Sequence, residues 1–198
     1  MPSGDDRLRA YHEKRDFHRT PEPRGEDERP GGEPIFVIQK HAASSLHYDF
    51  RLQVDGILKS WAVPKGPSAD PRLRRLAIPT EDHPLAYAEF EGIIPQGAYG
   101  AGVVMVWDTG TYENITGGDH PVSMEEALAN GHVAVRLHGK KLQGGYALIR
   151  TGGRWLLLKM QDAAVNMTED VTVEQPDSAL TGRNLLEIAE DEGMQKAA

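Results

Sequence analysis

The 198-residue sequence contains no cysteine. Disulfides, thiolate zinc sites, iron–sulfur clusters and cysteine nucleophiles are therefore excluded. The lack of thiols suits a reducing compartment, and a cytoplasmic location is the expectation. No apolar run approaches the eighteen or more residues of a membrane span, and the charged N-terminus has no apolar stretch of the signal-peptide kind. No membrane association is expected. The Gly-rich stretch Glu91–Gly102 lacks the Gly-Lys-Ser/Thr and following helix of a nucleotide-triphosphate cradle, so it reads as a backbone corner. No internal repeat is visible.

Hydrophobic residues at 39% and charged residues at 26% suit one globular core with polar ends. The net charge of −8 argues at first against a polyanionic partner. Its distribution removes that objection. Between Lys40 and Arg75, seven basic residues stand against three acidic ones, whereas nine acids and two bases lie beyond Gln161. The local field steers a phosphate, and the acidity lies mostly elsewhere.

The stretch His47-Tyr-Asp49-Phe-Arg51-Leu alternates polar and apolar residues with the period of a strand. Its apolar side carries Tyr48, Phe50 and Leu52. Its other side carries an imidazole, a carboxylate and a guanidinium rather than ordinary solvated groups. Alternate strand residues sit about 6–7 Å apart, so His47 and Asp49 can grip one metal ion, with Arg51 facing an anion beside it. His41, in the segment before the strand, is the candidate third ligand. Val54-Asp55-Gly56-Ile57 reads as a hairpin on a two-residue Asp-Gly turn. That register pairs Phe50 with Trp61, Asp49 with Ala62 and Arg51 with Ser60. It also puts Lys65 just past the partner strand, near His47. Pro84 holds His83 in an extended backbone, which suits a side chain aimed into a site.

Some nine strands are expected, with a turn at Asp108–Gly110 separating Val103–Trp107 from Thr111–Glu113. Ser123-Met-Glu-Glu126 is a capping box opening a short helix that ends at Asn130-Gly131. The fold class is mainly β: a single-domain antiparallel barrel or sandwich with a few short helices. The expected parts are a polar N-terminal arm over 1–33, a β domain over 34–162 and an acidic tail over 163–198. The arm carries a short helix around Asp6–Phe17 and then a linker-like segment, Arg24–Glu33. The tail carries a helical piece near Leu185–Ala189. His132 and His138 flank one strand and read as edge residues.

His and Asp ligands without thiolate suit Mn²⁺, Fe²⁺ or Zn²⁺. Three readings follow. In metal-assisted phosphoester hydrolysis, Arg51 and Lys65 neutralise the phosphoryl charge and His83 moves a proton or clamps. In a non-haem iron oxygenase, His47 and Asp49 join a downstream His such as His138. In a non-catalytic DNA-end-binding module, the ligand spacing has no explanation. The clustered cations favour the first.

Five motifs also carry a resemblance. They are Gln39-Lys-His41-x5-His47-Tyr-Asp49-Phe-Arg51, Trp61-Ala-Val-Pro-Lys65-Gly-Pro, Glu81-Asp-His83-Pro-Leu-x-Tyr87, Glu89-Phe-Glu-Gly-x-Ile-Pro95-x-Gly-x-Tyr-Gly100 and Trp155-Leu-Leu-Leu-Lys159-x-x-Asp162. Together they closely resemble the 3′-phosphoesterase domain of bacterial non-homologous end-joining ATP-dependent DNA ligases, a domain that also occurs free-standing. The resemblance runs from about Tyr11 to Asp162. It implies a manganese-dependent enzyme that heals DNA 3′ ends; Co²⁺ and Zn²⁺ accept overlapping ligands. Such enzymes remove a terminal ribonucleoside and then the 3′-phosphate, leaving a hydroxyl. By the same resemblance His41, His47 and Asp49 are metal ligands, and Arg51 and His83 contact the scissile phosphate with Tyr87 close by. Lys65 and Arg75 are further anion-binding positions, and Gln39 and Glu81 further polar positions of the site. Arg15, Asp16 and Glu22 belong to an arm that serves ribonucleoside removal. The implied substrate is the 3′ end of a duplex primer-template. Leu180–Ile188 resembles the segment where the large ligases run on toward their next domain. A free-standing form working with a separate ligase or end-binding protein is therefore expected.

Overall fold

The β2–β3 hairpin forms where the sequence calls for it. Asp55 and Gly56 adopt φ of 50° and 79°, the left-handed pair that a type I′ turn demands. Strands β2 (Leu46–Val54) and β3 (Ile57–Val63) pair with Val54 opposite Ile57, Phe50 opposite Trp61, Asp49 opposite Ala62 and Arg51 opposite Ser60. In the computed structural model, which describes residues 7–25 and 32–197, this hairpin is one side of a closed antiparallel barrel.

The other strands are β1 (Ile35–Ala42), β4 (Arg75–Pro79), β5 (His83–Pro84), β6 (Gly92–Ile94), β7 (Gly102–Asn114), β8 (His132–Gly139), β9 (Gln143–Thr151) and β10 (Arg154–Lys159). Eight of them run round the barrel in the order β1-β2-β3-β4-β10-β9-β8-β7, and β7 returns to β1 to close it. Closure removes the exposed strand edges that an open sheet would present. β5 pairs with β3, and β6 extends the sheet from β7. Of the two expected architectures, the barrel is the one adopted.

The inward side chains Phe36, Ile38, Phe50, Leu52, Trp61, Tyr112, Val135, Tyr146 and Leu157 form the core. Each large apolar side chain so buried stabilises the fold by about 1.5–3 kcal/mol. Tyr48, Phe50 and Leu52 face inward, as their alternation requires. The polar face of β2 points out of the barrel but not to water. Tyr11, Tyr87 and Ala88 pack with Val37, Leu58 and Val106 in a second cluster outside the barrel wall, and Asp49 and Arg51 lie buried beside it.

Three local readings are corrected. The segment Asp108–Gly110 is no turn, because β7 runs unbroken through it with a register shift against Ile38 and Gln39. The Asp108 carboxylate is buried because it accepts from the backbone N–H groups of Thr109, Lys140, Lys141 and Leu142, capping the β8–β9 turn at 2.8–3.0 Å. Gly110 is needed because a Cβ there would collide with the His138 carbonyl. Among the described residues of the arm, helix α1 spans Arg9–Glu13 and stops short of Phe17. Asp6, and residues 26–31 of the linker-like segment, lie outside the described residues. The tail helix extends over Leu185–Ala197, well beyond Ala189. A reciprocal Asn184–Glu187 cap starts it, and Ile188 packs it onto the body. Between them, α2 (Met124–Asn130) has the expected Ser123 cap and left-handed Gly131, and α3 (Val171–Glu174) is a single turn.

Candidate active site

Register brings two of the candidate ligands face to face, since His41 on β1 lies opposite His47 on β2. Their rings sit 4.8 Å apart, and Asp49 is two residues along the same face as His47. His41 Nδ1 and His47 Nε2 each lie 3.8 Å from Asp49 Oδ2. The three ligand atoms are all within 4.8 Å of one another, a group able to hold a metal ion.

Backbone carbonyls set both tautomers. His41 Nε2 donates to the Gly100 carbonyl at 2.8 Å, and His47 Nδ1 donates to the Ser45 carbonyl at 3.0 Å. A carbonyl can only accept, so the proton sits on the outer nitrogen and the lone pair of the inner one points at the cluster. Metal-binding histidines are oriented in this way. The donor set of two imidazoles and one carboxylate fits a divalent first-row ion. Burial alone would raise the Asp49 carboxyl. The Arg51 guanidinium, 3.3 Å away, is the strongest opposing influence, and the carboxyl lies below the usual carboxylate range.

Gln39, fully buried, fixes Arg51. Its Oε1 accepts from Arg51 Nε at 2.8 Å while its Nε2 donates to the Tyr87 and Phe90 carbonyls. Arg51 Nη1 then lies 3.0 Å from His83 Nδ1. On the far side of that ring, Arg15 Nη2 is 3.3 Å from Nε2. Arg15 reaches in from the arm, held by Glu22 at 2.9 Å and Glu81 at 3.0 Å. Glu22 also accepts from the Tyr87 hydroxyl and from Thr20. The Tyr87 phenol is pushed well above its ordinary range by burial and by the Glu22 carboxylate, and so remains a donor.

His83 is pressed well below its ordinary range, first by burial and then by Arg51 and Arg15. Its Nδ1 donates to the Glu81 carbonyl at 2.8 Å, so the same nitrogen cannot accept from Arg51. Two guanidiniums, each paired with a carboxylate on its other side, thus flank a neutral imidazole. The unfolded chain's histidine takes up a proton near pH 6.5 that the folded ring refuses. This contribution to stability is present above that pH and lost as pH falls below it. The melting temperature is expected to drop between about pH 7 and 5, and His83→Gln to flatten that drop. An unchanged slope in a thermal-shift series would contradict the assignment.

These groups line one cavity of about 270 Å³, with Ala43, Ala62, Thr80, Ile94 and Tyr99. His41, His47, Asp49, Arg51, His83, Tyr87, Glu81 and Arg15 all face it, with Gln39 directly behind. Asp16 and Glu22 line a smaller cavity beside it. Lys65 is exposed in the turn after β3, and Arg75 heads β4 half-buried; neither lines either cavity. His138 pairs with Glu113 at 2.8 Å, and His41 completes the ligand group in its place. Sequence reasoning missed Tyr11, buried against the His83 ring, and Tyr99 and Lys14 at the rim. An aromatic inside a Gly-rich corner was the one available signal for Tyr99.

An antiparallel barrel that carries a His–His–Asp cluster beside paired guanidiniums on its outer wall defines a class of candidate metal-assisted sites for anionic esters. The family model described as DNA Ligase D 3′-phosphoesterase domain matches residues 39–150, and the chain belongs to that family. It is 50% identical over 195 residues to the multifunctional non-homologous end joining protein LigD of Pseudomonas aeruginosa, an alignment covering 94% of this chain and 22% of that protein. It is 48% identical over 164 residues to the multifunctional non-homologous end joining DNA repair protein LigD of Mycobacterium tuberculosis, covering 79% and 20%. With the Mycolicibacterium smegmatis counterpart the identity is 44% over 172 residues. The chain thus spans about a fifth of the length of these relatives. No helix among the described residues is long and apolar enough to cross a membrane.

Proposed function

We propose that this chain is a metal-dependent DNA 3′-phosphoesterase of non-homologous end joining in the cytoplasm. It removes a 3′-terminal ribonucleoside to leave a 3′-phosphate, and then removes that phosphate to leave a 3′-hydroxyl. The observation that carries this reading is the meeting of His41, His47 and Asp49 with Arg51, His83 and Arg15 in one cavity.

His41, His47 and Asp49 would hold a divalent ion, Mn²⁺ by family resemblance, with Co²⁺ or Zn²⁺ as substitutes. Such an ion polarises a phosphoryl oxygen and lowers the pKa of bound water. The remaining work falls to the chain's own groups. Arg51 and Arg15 donate to the phosphoryl oxygens as negative charge spreads over them. An anion between them relieves the pressure on His83, whose Nε2 then takes up a proton from solvent and gives it to the departing oxygen as that P–O bond breaks, while the water whose oxygen bonds to phosphorus loses a proton to solvent. Gln39 keeps Arg51 in place, while Glu22, Glu81 and Tyr87 keep Arg15 in place. Asp16 serves the ribonucleoside side. Lys65 and Arg75, outside the cavity, attract the backbone of the primer-template. A separate DNA ligase or end-binding protein would take up the healed end. The oxygenase reading called for a downstream His as third ligand, and His138 is engaged with Glu113 instead.

The test is a labelled primer-template ending in one ribonucleotide, incubated with Mn²⁺, Co²⁺, Zn²⁺ or no metal. The expected result is metal-dependent conversion first to a 3′-phosphate and then to a 3′-hydroxyl. Folded protein that converts neither end with any metal would overturn the reading.

A further inference from the structure

Two cavities share a wall. The larger holds the ligand cluster; the smaller, about 120 Å³, is lined by Lys14, Asp16, Arg19 and Thr20. Arg15 and Tyr99 line both. Whereas Arg15 is sequestered, Tyr99 is 50% exposed. It nevertheless has two cationic neighbours, Lys14 and, 5.6 Å from the ring centroid, Arg15. Lys14 Nζ donates to its hydroxyl at 3.3 Å and lies 4.7 Å from the ring centroid, while itself bound to Glu81. Behind the ring, Gly97 and Gly100 take φ of 82° and 74° in consecutive turns closed by Ala98 N–H to Pro95 and Ala101 N–H to Ala98. The carbonyl that orients His41 belongs to Gly100, the next residue. The ring's position is therefore geared to the ligand cluster.

A half-exposed aromatic held at the mouth of a phosphoryl site offers a nucleobase a stacking face, and it accepts every base because each has a π-face. The smaller cavity mixes cations with the carboxylates of Asp16 and Glu22. Lys14 and Arg15 are already paired with Glu81 and Glu22, and Asp16 stands against Arg19, so little net charge is left to draw a second phosphate. Sugar hydroxyls, which both donate and accept, suit the mixture.

We infer that Tyr99 is the stacking platform for the base of the nucleoside that departs from the scissile phosphate, with its sugar against Asp16 and Lys14. This rests on the phosphoesterase reading above and adds the means by which the departing group is held. Tyr99→Ala, Tyr99→Phe and Tyr99→Trp are to be compared on primers ending in a ribonucleoside with its base and in an abasic ribose. For the base-bearing end, Tyr99→Ala is expected to raise KM by about tenfold or more with little change in kcat, while Phe and Trp restore it. Wild type is expected to prefer the base-bearing end, and Tyr99→Ala to lose that preference. Terminal 2-aminopurine, bound without metal, should be quenched by wild type, Phe and Trp but not by Ala. Equal handling of both ends by wild type, or a Phe variant as poor as Ala, would overturn the proposal. The two readings fail separately. Quenching without turnover of any 3′ end sinks the phosphoesterase reading, whereas turnover without quenching sinks the stacking platform alone.

Discussion

Asp49→Asn is expected to lower the 3′-phosphatase rate by at least about a thousandfold, beyond the 10²–10³ that one electrostatic donor supplies. The substitution keeps shape and volume, so the fold survives. What it removes is the single negative charge between two imidazoles and a guanidinium. Without that charge the cluster has only neutral donors facing Arg51, a poor environment for a divalent cation. His47→Ala should fall nearly as far, because its Nε2 is one of three ligand atoms. The check is kcat/KM on a 3′-phosphate primer, beside a circular dichroism spectrum matching wild type. A variant that loses its spectrum along with its activity would instead mark these residues as structural.

Arg51→Lys is the second large effect, expected at about 10²–10³-fold in kcat. Lysine keeps the charge but not the planar fork. The fork matters because Arg51 makes three contacts at once, with Gln39 through Nε, the His83 ring through Nη1 and Asp49 through Nη2. A lysine ammonium can meet one of these and leaves Gln39 Oε1 buried without its donor. The melting temperature should therefore also fall, since an orphaned buried acceptor costs about 1–3 kcal/mol. Activity within a few fold of wild type would show that charge alone suffices there.

How much of this was legible depended on the distance along the chain. The Asp55-Gly56 turn fixed the β2–β3 register, and with it the pairing of Asp49 with Ala62 and Arg51 with Ser60, from local chemistry alone. Alternation told which face of β2 was apolar. It could not tell that the polar face would itself be covered, because Tyr11 and Tyr87 arrive from segments far off in sequence. Arg15 meets Glu81 across 66 residues, and no periodicity announces such a meeting. Arg15, Glu22 and Glu81 were named through family resemblance; their hydrogen bonds to one another came only with the fold. Asp108-Thr-Gly110 shows the opposite failure. Its composition is that of a turn, yet the carboxylate caps a different turn some thirty residues on. The Gly-rich corner was read correctly as a corner, but the carbonyl of Gly100 that orients His41 was not visible from sequence.

The central claim is that two imidazoles and one carboxylate on adjoining strands hold a single divalent cation. Equilibrium Mn²⁺ binding followed by electron paramagnetic resonance tests it most directly. One ion should be bound per wild-type chain, and binding should weaken by orders of magnitude in Asp49→Asn. Undiminished binding in that variant, or none in the wild type, would contradict it.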